Sequence, residues 1–488
     1  MPLFICKRKR GGGSPAGESI AEPRKVRIME AETSGTRTLL GNQRKGIVAL
    51  AIPIGVALLF QQLNNIVDSI WVADLGGDAL AALGLVYPIY SVLIGIGNGL
   101  GIGVSAAIAR SIGMNNRDDA HGSAGQGVIL AFIVGMVLTP ILLLTAEPSL
   151  LLMGAGDMID DCLEYAIPVY SCTFFIILSG IMSGMLRGEG AARRSMAIQI
   201  VGALVNIVLD PIMIYGMGMG VAGAAWATSI SFAVSCFMAL FWYLRGKHMY
   251  VTLDRSCLRY NRRLCHSVLS VGAPEAAELS VMYIFNVVLN LIVIQCGGTD
   301  AVGIYSTGWR VAYIIMVVAQ AMGGAMVAVC SAEYGMKRFD MIQDAFRYSV
   351  VCSILWTAGM AVMMALASGF LAESFTRSDD LAYLRDDMAL LFRLFALCLP
   401  VMTMVYTGSS MLQALNRATG AMLNSLLRNL MLCATFFVAM VASGTLDSLF
   451  WAMAVTEILG GVLMGVHAWI VLRRVVAEEG GSATGSEA

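Results

Sequence analysis

The chain has 488 residues, of which 58% are hydrophobic and only 13% are charged. Soluble globular chains carry about 25% charged residues, so this composition excludes a soluble protein and predicts an integral membrane protein. The formal net charge is −1, and a chain without a general basic excess is not expected to bind nucleic acid.

Residues 1–46 precede the first apolar segment and combine Gly, Ser and Pro with scattered charges. This composition predicts a disordered cytoplasmic tail. The stretch 1–10 ends in four basic residues and three glycines follow it with no apolar run between, so we expect no secretory signal. Nothing before Met29 looks structural, which leaves Met1 and Met29 as alternative start residues.

Twelve apolar segments follow, and each is long enough to cross about 30 Å of hydrocarbon as a helix of roughly 20 residues. We number them spans 1 to 12 and predict them at 47–72, 84–110, 124–146, 162–186, 195–216, 221–244, 267–295, 303–333, 346–368, 388–414, 420–443 and 448–472. The predicted fold is therefore all-α, with twelve transmembrane helices.

The basic residues are distributed unevenly between these segments. Of the 32 Lys and Arg residues, 27 lie in the tail before residue 46 or in the loops and ends that follow even-numbered spans. By the positive-inside rule, both termini of this multi-pass protein are expected in the cytoplasm, with the chain in the cytoplasmic membrane.

The second half of the chain repeats the first. Sliding the sequence by 221 residues places Pro53 on Pro274, and a slide of 226 places Met196 on Met422. Six spans is an even number, so both halves begin on the same side of the membrane. We therefore predict two six-helix lobes related by a pseudo-two-fold axis along the membrane normal, an arrangement typical of transporters.

This repeat divides the chain into an N-lobe at 47–244, a C-lobe at 267–472 and a C-terminal cytoplasmic tail at 473–488. The segment 245–266 between the lobes is rich in arginine. We interpret it as a solvated cytoplasmic linker beside anionic lipid headgroups.

Ionisable residues inside spans are the strongest functional candidates, because a charge at mid-bilayer costs from about 2.5 kcal/mol upward. Asp68 in span 1 and Asp210 in span 5 are predicted at similar depth in the outer part of the N-lobe. Gln61 and Asn64 share a helix face with Asp68, and Asn206 lies one turn before Asp210. Two polar faces are thus expected to converge on one chamber.

Asp210 is followed by Pro211, which predicts a kink because proline removes a backbone donor. Two carboxyls that share an apolar chamber repel each other and lose hydration, which favours uptake of a proton. The chamber is therefore predicted to bind the coupling ion. The alternative interpretation is that both aspartates are hydrogen-bonded packing residues.

The C-lobe also carries charges within its spans. Glu278 in span 7 and Arg428 in span 11 enter from the cytoplasmic side to comparable depth, so they could form a charge pair. We favour a structural role for the pair, since breaking it leaves a lone buried ion. Glu457 and His467 in span 12 remain unassigned.

Glycines recur in span 2. The spacing of Gly95, Gly99 and Gly103 predicts close approach by a neighbouring helix. The G-x-G-x-x-G spacing of a dinucleotide site fails at Leu100 and Val104, so packing is the favoured interpretation.

The 11 cysteines lie mostly one per span and include no C-x-x-C pair. We expect neither a disulfide nor a metal site. The sequence also lacks a phosphate-binding loop and the nucleophile or zinc motifs of intramembrane enzymes, so an enzyme is not expected. Transport would have to draw on an ion gradient, with no cofactor.

Together these motifs resemble one family, the multidrug and toxic compound extrusion (MATE) transporters. The resemblance covers roughly residues 45–472 and rests on Pro53, Gln61, Asn64, Val67-Asp68, Gly76-Gly77-Asp78-Ala79-Leu80, Leu186-Arg187-Gly188-Glu189-Gly190, Asn206, Asp210-Pro211 and the stretch from Gly220 to Thr228, with weaker recurrence at Gln413 to Arg417 and at Arg428.

Within that family the chain is most similar to the DinF-type branch. The resemblance implies that Asp68 and Asp210 take up the coupling cation and that Gln61, Asn64 and Asn206 support them. Tyr165 is a further supporting residue by the same resemblance. The alternative for Tyr165 is an anchor at the membrane interface.

The chain departs from the NorM-type branch, which has additional acids in spans 7 and 10. The aligned stretches here read Val281-Met282-Tyr283 and Val405-Tyr406-Thr407. This departure makes H⁺ the expected coupling ion. Na⁺ is the alternative, since carboxylate and amide oxygens also bind hard cations.

We therefore predict a monomeric, cation-coupled exporter of small cationic or amphiphilic organic compounds that works by alternating access in a lipid bilayer. The alternative is a flippase for a lipid or lipid-linked precursor from the same superfamily. Such a flippase would need several cavity arginines for pyrophosphate, and only Arg310, Arg393 and Arg428 lie within spans. A channel is disfavoured because the chain carries its own two-fold repeat.

Overall fold

The computed structural model describes residues 33–245, 249–376 and 383–484, and these residues are helical with short connections. Eleven helices are long and apolar enough to span a membrane, and a bent helix pair brings the number of spans to twelve. In chain order, the spans are Gln43–Ala73, Ala79–Gly113, Arg117–Leu152, Gly156–Ser171 with Thr173–Gly188, Ala192–Gly216, Gly220–Arg245, Arg262–Gly298, Asp300–Gly335, Phe339–Leu366, Arg385–Ala414, Ala418–Ala442 and Leu446–Glu478. The predicted all-α membrane fold is confirmed.

Span 4 is the bent pair, with an angle of 51° between its two halves. Pro168 lies in the last turn of the first half and has no N–H to donate to the preceding turn. Across the break, the hydroxyl of Thr173 donates to the carbonyl of Tyr170 at 2.7 Å. Pro168 thus frees a carbonyl one turn earlier, and at the break itself the side chain of Thr173 satisfies the carbonyl of Tyr170.

The loops after even-numbered spans, together with the described chain ends, lie at one end of the bundle, which we call the basic end. Toward this end, buried apolar side chains from both lobes form one continuous core. Toward the opposite end they form two separate cores, one from N-lobe residues and one from C-lobe residues. The lobes therefore pack together in the half of the bundle nearest the basic end.

Span 2 forms much of this packing with spans 7 and 8. A Cβ atom on Gly99 would lie 2.3 Å from the backbone nitrogen of Ala276, and one on Gly113 would lie 2.0 Å from the carbonyl oxygen of Ala332. Both distances are shorter than any van der Waals contact, so only glycine fits. The close approach predicted from the glycines of span 2 is thus made to helices of the other lobe. We call this contact the interlobe seam.

Charged side chains close the seam at the basic end. The guanidinium of Arg44 at the start of span 1 pairs with Asp344 in span 9, and the amide of Gln43 donates to the same carboxylate at 2.8 Å. Arg263 at the start of span 7 pairs with Asp119 in span 3 at 2.5 Å. Each ion pair joins one lobe to the other.

The prediction of a disordered tail over 1–46 is wrong for its last part, while 1–32 lies outside the described residues. Ser34–Leu40 is a helix whose first turn is capped by the side chain of Thr33. It docks because Gly35 has no side chain: a Cβ there would lie 2.5 Å from the carbonyl oxygen of Glu189. A tertiary contact orders a segment whose composition alone favours disorder.

The interpretation of 245–266 as a solvated strap is also wrong for part of its length. Met249, Tyr250 and Val251 are buried, with exposed fractions of 5%, 5% and 0%. The backbone N–H groups of Tyr250 and Val251 donate to one carboxylate oxygen of Glu189 at 3.1 and 3.2 Å. The hydroxyl of Tyr243 donates to the other oxygen at 3.2 Å. The linker is thus docked on a buried carboxyl at the end of span 4.

Burial raises the pKa of Glu189 to about 7, and the hydrogen bonds and the charge of Arg194 only partly offset this effect. Because the pKa in the docked state lies above the ordinary glutamate value of 4.5, protonation favours docking. Docking should be strongest at low pH and should weaken as the pH rises through about 7.

We therefore expect the amides of Tyr250 and Val251 to lose protection from hydrogen exchange between about pH 5 and about pH 7, after correction for intrinsic rates, with little further loss at higher pH. Glu189→Gln should remove this pH dependence, because glutamine stays neutral. Asp254→Asn, at an exposed linker carboxyl, is the matched control and should keep it. Equal or greater protection at the higher pH in the wild type would contradict the assignment.

Candidate cation and substrate site

Asp68 and Asp210 lie close together in the N-lobe, in the half of the bundle away from the basic end. Asp68 is near the last turns of Gln43–Ala73, and Asp210 is in the last α-helical turn of Ala192–Pro211. Their carboxyl groups are near enough to share a hydrogen bond when one is protonated. Asp210 is fully buried and Asp68 is half-buried, and one carboxyl oxygen of each is shielded from solvent.

Asn206 connects the two helices. Its carbonyl oxygen accepts a hydrogen bond from the side-chain amide of Asn64 at 2.8 Å, and its own amide donates to Asp210 Oδ1 at 3.0 Å. The same amide reaches the hydroxyl of Thr228 in span 6 at 3.4 Å. One-turn spacing puts Asn64 below Asp68 and Asn206 below Asp210, so a single amide ties both polar faces together.

Three acceptor oxygens in this network are buried and lack a hydrogen-bond donor among the described residues: Asp68 Oδ1, Asp210 Oδ2 and Asn64 Oδ1. An unpaired buried acceptor costs about 1–3 kcal/mol. Oxygens arranged in this way gain most from a proton or a small cation placed between them. The site can therefore bind positive charge.

At Pro211, where the sequence predicts a kink, the helix changes type. The α-helix ends at Pro211 and continues as a π-helical turn, Ile212–Gly216. This wider turn carries Tyr215, whose hydroxyl donates to the carbonyl of Trp71 at 3.0 Å and to Asp74 Oδ2 at 3.1 Å. The proline break thus ties the end of span 5 to the end of span 1, directly beyond the two aspartates.

The remaining predicted residues differ in their placement. Tyr165 has an exposed fraction of 2% and lies within electrostatic range of both aspartates, so it is not an anchor at the lipid interface. Gln61 lies on the same helix as Asp68 but is exposed, and it forms no hydrogen bond that the structure records among the described residues. The structure therefore brings Tyr165 toward the pair and leaves Gln61 outside the network.

Sequence reasoning missed two contributors. Thr228 supplies the hydroxyl that faces Asn206, and Tyr90 in span 2 lies within electrostatic range of Asp68. Thr228 begins a run of hydroxyl residues on one face of span 6, with Ser231 and Ser235 following it. That polar face was a usable signal, whereas nothing local in the sequence distinguishes Tyr90 from other span tyrosines.

Comparison with known proteins decides the family. The family model MatE matches residues 53–212 and 274–437, one segment in each lobe. The chain belongs to the MATE family. Its members are transporters and not enzymes, in agreement with the prediction from sequence.

Named MATE relatives and solved structures align over most of their length. The multidrug export protein MepA of Staphylococcus saprophyticus is 22% identical over 442 residues, which cover 89% of this chain and 95% of the relative. The probable multidrug resistance protein YoeA of Bacillus subtilis is 24% identical over 381 residues, 76% of this chain and 80% of the relative. A structure described as the outward-facing conformation of a multidrug resistance MATE transporter superposes with a TM-score of 0.86 at 28% identity, covering 91% of this chain and 99% of that one.

The two lobes of this MATE chain do not carry the same site. The repeat offsets of 221 and 226 residues place Asp68 on Leu289 and Asp210 on Phe436. Both of these C-lobe residues are buried in one apolar cluster, with exposed fractions of 4% and 0%. The aspartate pair is therefore specific to the N-lobe, although the backbone that would carry its counterpart is present in the C-lobe.

The structure gives Arg428 a direct partner other than Glu278 and places Glu278 only within electrostatic range of the guanidinium. Arg428 Nη1 pairs with Glu457 Oε2 at 2.8 Å, and Glu278 accepts a hydrogen bond from the hydroxyl of Ser425 at 2.5 Å. Glu457 lies on span 12, which packs against span 11, so its carboxylate reaches the guanidinium first. Glu457, unassigned from sequence, is thus the partner of Arg428.

Replacing Asn206 by Leu should destabilise the N-lobe. The change removes the acceptor of Asn64 and the donor to Asp210, and each buried polar group left unpaired costs about 1–3 kcal/mol. We expect a lower midpoint of thermal unfolding in detergent. Asn65→Ala removes an exposed amide one residue from Asn64 and should leave the midpoint unchanged. Equal midpoints for Asn206→Leu and the wild type would show that the bridge contributes nothing.

Proposed function

We propose that this MATE chain exports small organic cations or amphiphiles across the cytoplasmic membrane in exchange for protons. The observation that carries the proposal is the aspartate pair, two carboxyls at one buried site with an unpaired oxygen on each. A cationic substrate and a proton can both satisfy these oxygens, and a site that holds either one but not both at once couples their movements.

The proposed orientation places the basic end in the cytoplasm, following the positive-inside rule. The lobes share a continuous core at that end and have separate cores at the other. With this orientation, the structure corresponds to a state that is closed to the cytoplasm and open to the outside. Asp68 and Asp210 then lie in the half that faces the outside.

The proposed cycle follows from competition at the pair. A substrate held against the ionised carboxylates is released when protons from the outside neutralise them, since the attraction between opposite charges is lost. Rocking of the lobes about the interlobe seam then opens the site to the cytoplasm, where the proton leaves and the next substrate enters.

The number of oxygen ligands at the site favours protons over sodium as the coupling ion. The pair and its amides offer three unpaired buried oxygens, whereas hard metal cations generally take about six oxygen ligands. A proton needs only one acceptor and one neighbouring oxygen to share it. Sodium remains the alternative, and the experiment below separates the two ions.

The flippase alternative needs free guanidinium groups to hold a pyrophosphate. Arg428 is paired with Glu457, and Arg393 donates from Nε to the hydroxyl of Ser368 at 3.2 Å. Both Arg310 and Arg393 are exposed and do not enter the N-lobe network. These arrangements favour an organic cation over a pyrophosphate-linked lipid.

The decisive experiment measures ethidium export from cells that lack their own exporters. We expect Asp68→Asn and Asp210→Asn each to reduce export by about 5- to 150-fold, the range that coupling free energies usually span. Collapse of the proton gradient should abolish wild-type export, while collapse of the sodium gradient alone should not.

Glu164→Gln is the matched control, since Glu164 is an exposed carboxyl adjacent to Tyr165, and it should export like the wild type. Surface abundance of each variant is measured in parallel, because a purely structural aspartate would instead reduce the amount of folded protein. Normal export by both aspartate variants would refute the proposed coupling. Export that depends on the sodium gradient instead of the proton gradient would identify Na⁺ as the coupling ion.

A further inference from the structure

The C-lobe contains a second cluster of charges, remote from the aspartate pair. It consists of Glu275 and Glu278 on span 7, Arg428 on span 11 and Glu457 on span 12. Glu275 and Glu457 are buried, with exposed fractions of 7% and 1%. We call these four residues the C-lobe cluster.

Each member has specific neighbours. Glu275 accepts a hydrogen bond from the side-chain amide of Gln413, which also donates to the hydroxyl of Ser409 at 3.0 Å. Glu278 Oε1 accepts from Ser425, but Glu278 Oε2 is buried and has no hydrogen-bond partner among the described residues. The cluster therefore contains an unsatisfied carboxyl oxygen.

The charges within the cluster do not balance. The single guanidinium of Arg428 is paired with Glu457 and lies within electrostatic range of Glu278, so within the cluster one cation faces three carboxyls. Arg310 and Arg393, which also lie within C-lobe spans, are exposed. Among the described residues, the titratable side chains within electrostatic range of the cluster include the phenols of Tyr305, Tyr313 and Tyr406 and the thiol of Cys398.

Two carboxylates one turn apart on the same helix face repel each other, and removing each from water is costly without a compensating charge. With three carboxyls for one guanidinium and one open carboxyl oxygen, the cluster gains stability from taking up positive charge. We propose that Glu275 and Glu278 form a proton-binding site in the C-lobe, separate from Asp68 and Asp210. The proposal rests on the proposed proton-coupled function.

This site is not the repeat counterpart of the aspartate pair. The offset of 221 places Glu275 on Ile54 and Glu278 on Ala57 in the N-lobe, both apolar. It also lies outside the two stretches that align with the NorM-type acids, Val281-Met282-Tyr283 and Val405-Tyr406-Thr407. The site therefore belongs to this chain's own C-lobe residues.

Its position connects it to the interlobe seam. Ala276, between the two glutamates, is the residue whose backbone packs on Gly99, and the side chain of Leu279 lies 3.1 Å from the position of a Cβ on Gly95. Loading or unloading a proton at Glu278 thus changes the charge of the helix segment that joins the lobes. Proton occupancy here can bias the packing of the seam as well as the charge of the C-lobe.

The test uses infrared difference spectra of the full chain in lipid nanodiscs between about pH 5 and about pH 8. The signal is the C=O band of protonated carboxyls. We expect Glu275→Gln/Glu278→Gln to lose one part of the wild-type band and Asp68→Asn/Asp210→Asn to lose another. The single variant Glu278→Gln serves if the double variant does not elute as folded protein.

Glu373→Gln, at an exposed carboxyl of the C-lobe, is the control and should retain the buried-carboxyl bands. A glutamate double variant with the complete wild-type band would overturn the proposal. So would loss of the whole band in the aspartate variant, or disappearance of the C-lobe part when sodium is added at constant pH. The infrared measurement does not require transport, so its result stands even if the proposed export fails.

A second measurement follows protons and ethidium together in proteoliposomes. We expect Glu275→Gln/Glu278→Gln to move about one proton fewer per ethidium than the wild type, since glutamine cannot carry one. An unchanged ratio would show that these glutamates do not take part in coupling. If wild-type ethidium movement carried no protons at all, the proposed function would fail, whatever the infrared spectra show.

Discussion

A carboxylate inside a bilayer must be hydrated, paired with a cation or protonated, and this requirement governs the functional organisation of the protein. Asp210 is fully buried, and the only charged side chain recorded as its partner is another carboxyl, Asp68. Neutral amides and a hydroxyl surround the pair. Such a site is unstable with both groups ionised and no cation nearby, so it gains by exchanging protons for positively charged cargo. The chemistry of the proposed exporter follows from that imbalance.

Gene duplication provided the frame, and single substitutions made the lobes different. Pro53 and Pro274 still occupy equivalent places in spans 1 and 7. The positions equivalent to the two aspartates hold Leu289 and Phe436, which complete an apolar core. Conversely, Glu278 has an alanine as its N-lobe counterpart. Because each lobe carries its acids at different positions, the same helical arrangement contains two unequal clusters of acidic side chains.

The seam between the lobes links these sites to movement. Backbone contact at Gly99 and Gly113 brings span 2 against spans 7 and 8 with no side chain between them. For the basic end to open, the lobes must separate at this contact and across their shared apolar core, and the ion pairs of Arg44 and Arg263 with the opposite lobe must break. A few specific contacts thus set the cost of alternating access.

The sequence alone determined the spans, the repeat and the aspartate pair, because hydropathy and helical spacing can be read from the sequence without the fold. Each predicted span lies within an observed span or overruns it by at most two residues. Only tertiary structure decided which charges meet. Glu278 and Glu457 both lie at depths that Arg428 can reach, and the packing of span 12 on span 11 selected Glu457. The same holds for the helix Ser34–Leu40 and the docked linker, whose order depends on Glu189 and Gly35, residues far apart in the chain. Contacts between distant segments leave no periodic pattern in the sequence, so only the folded structure could reveal them.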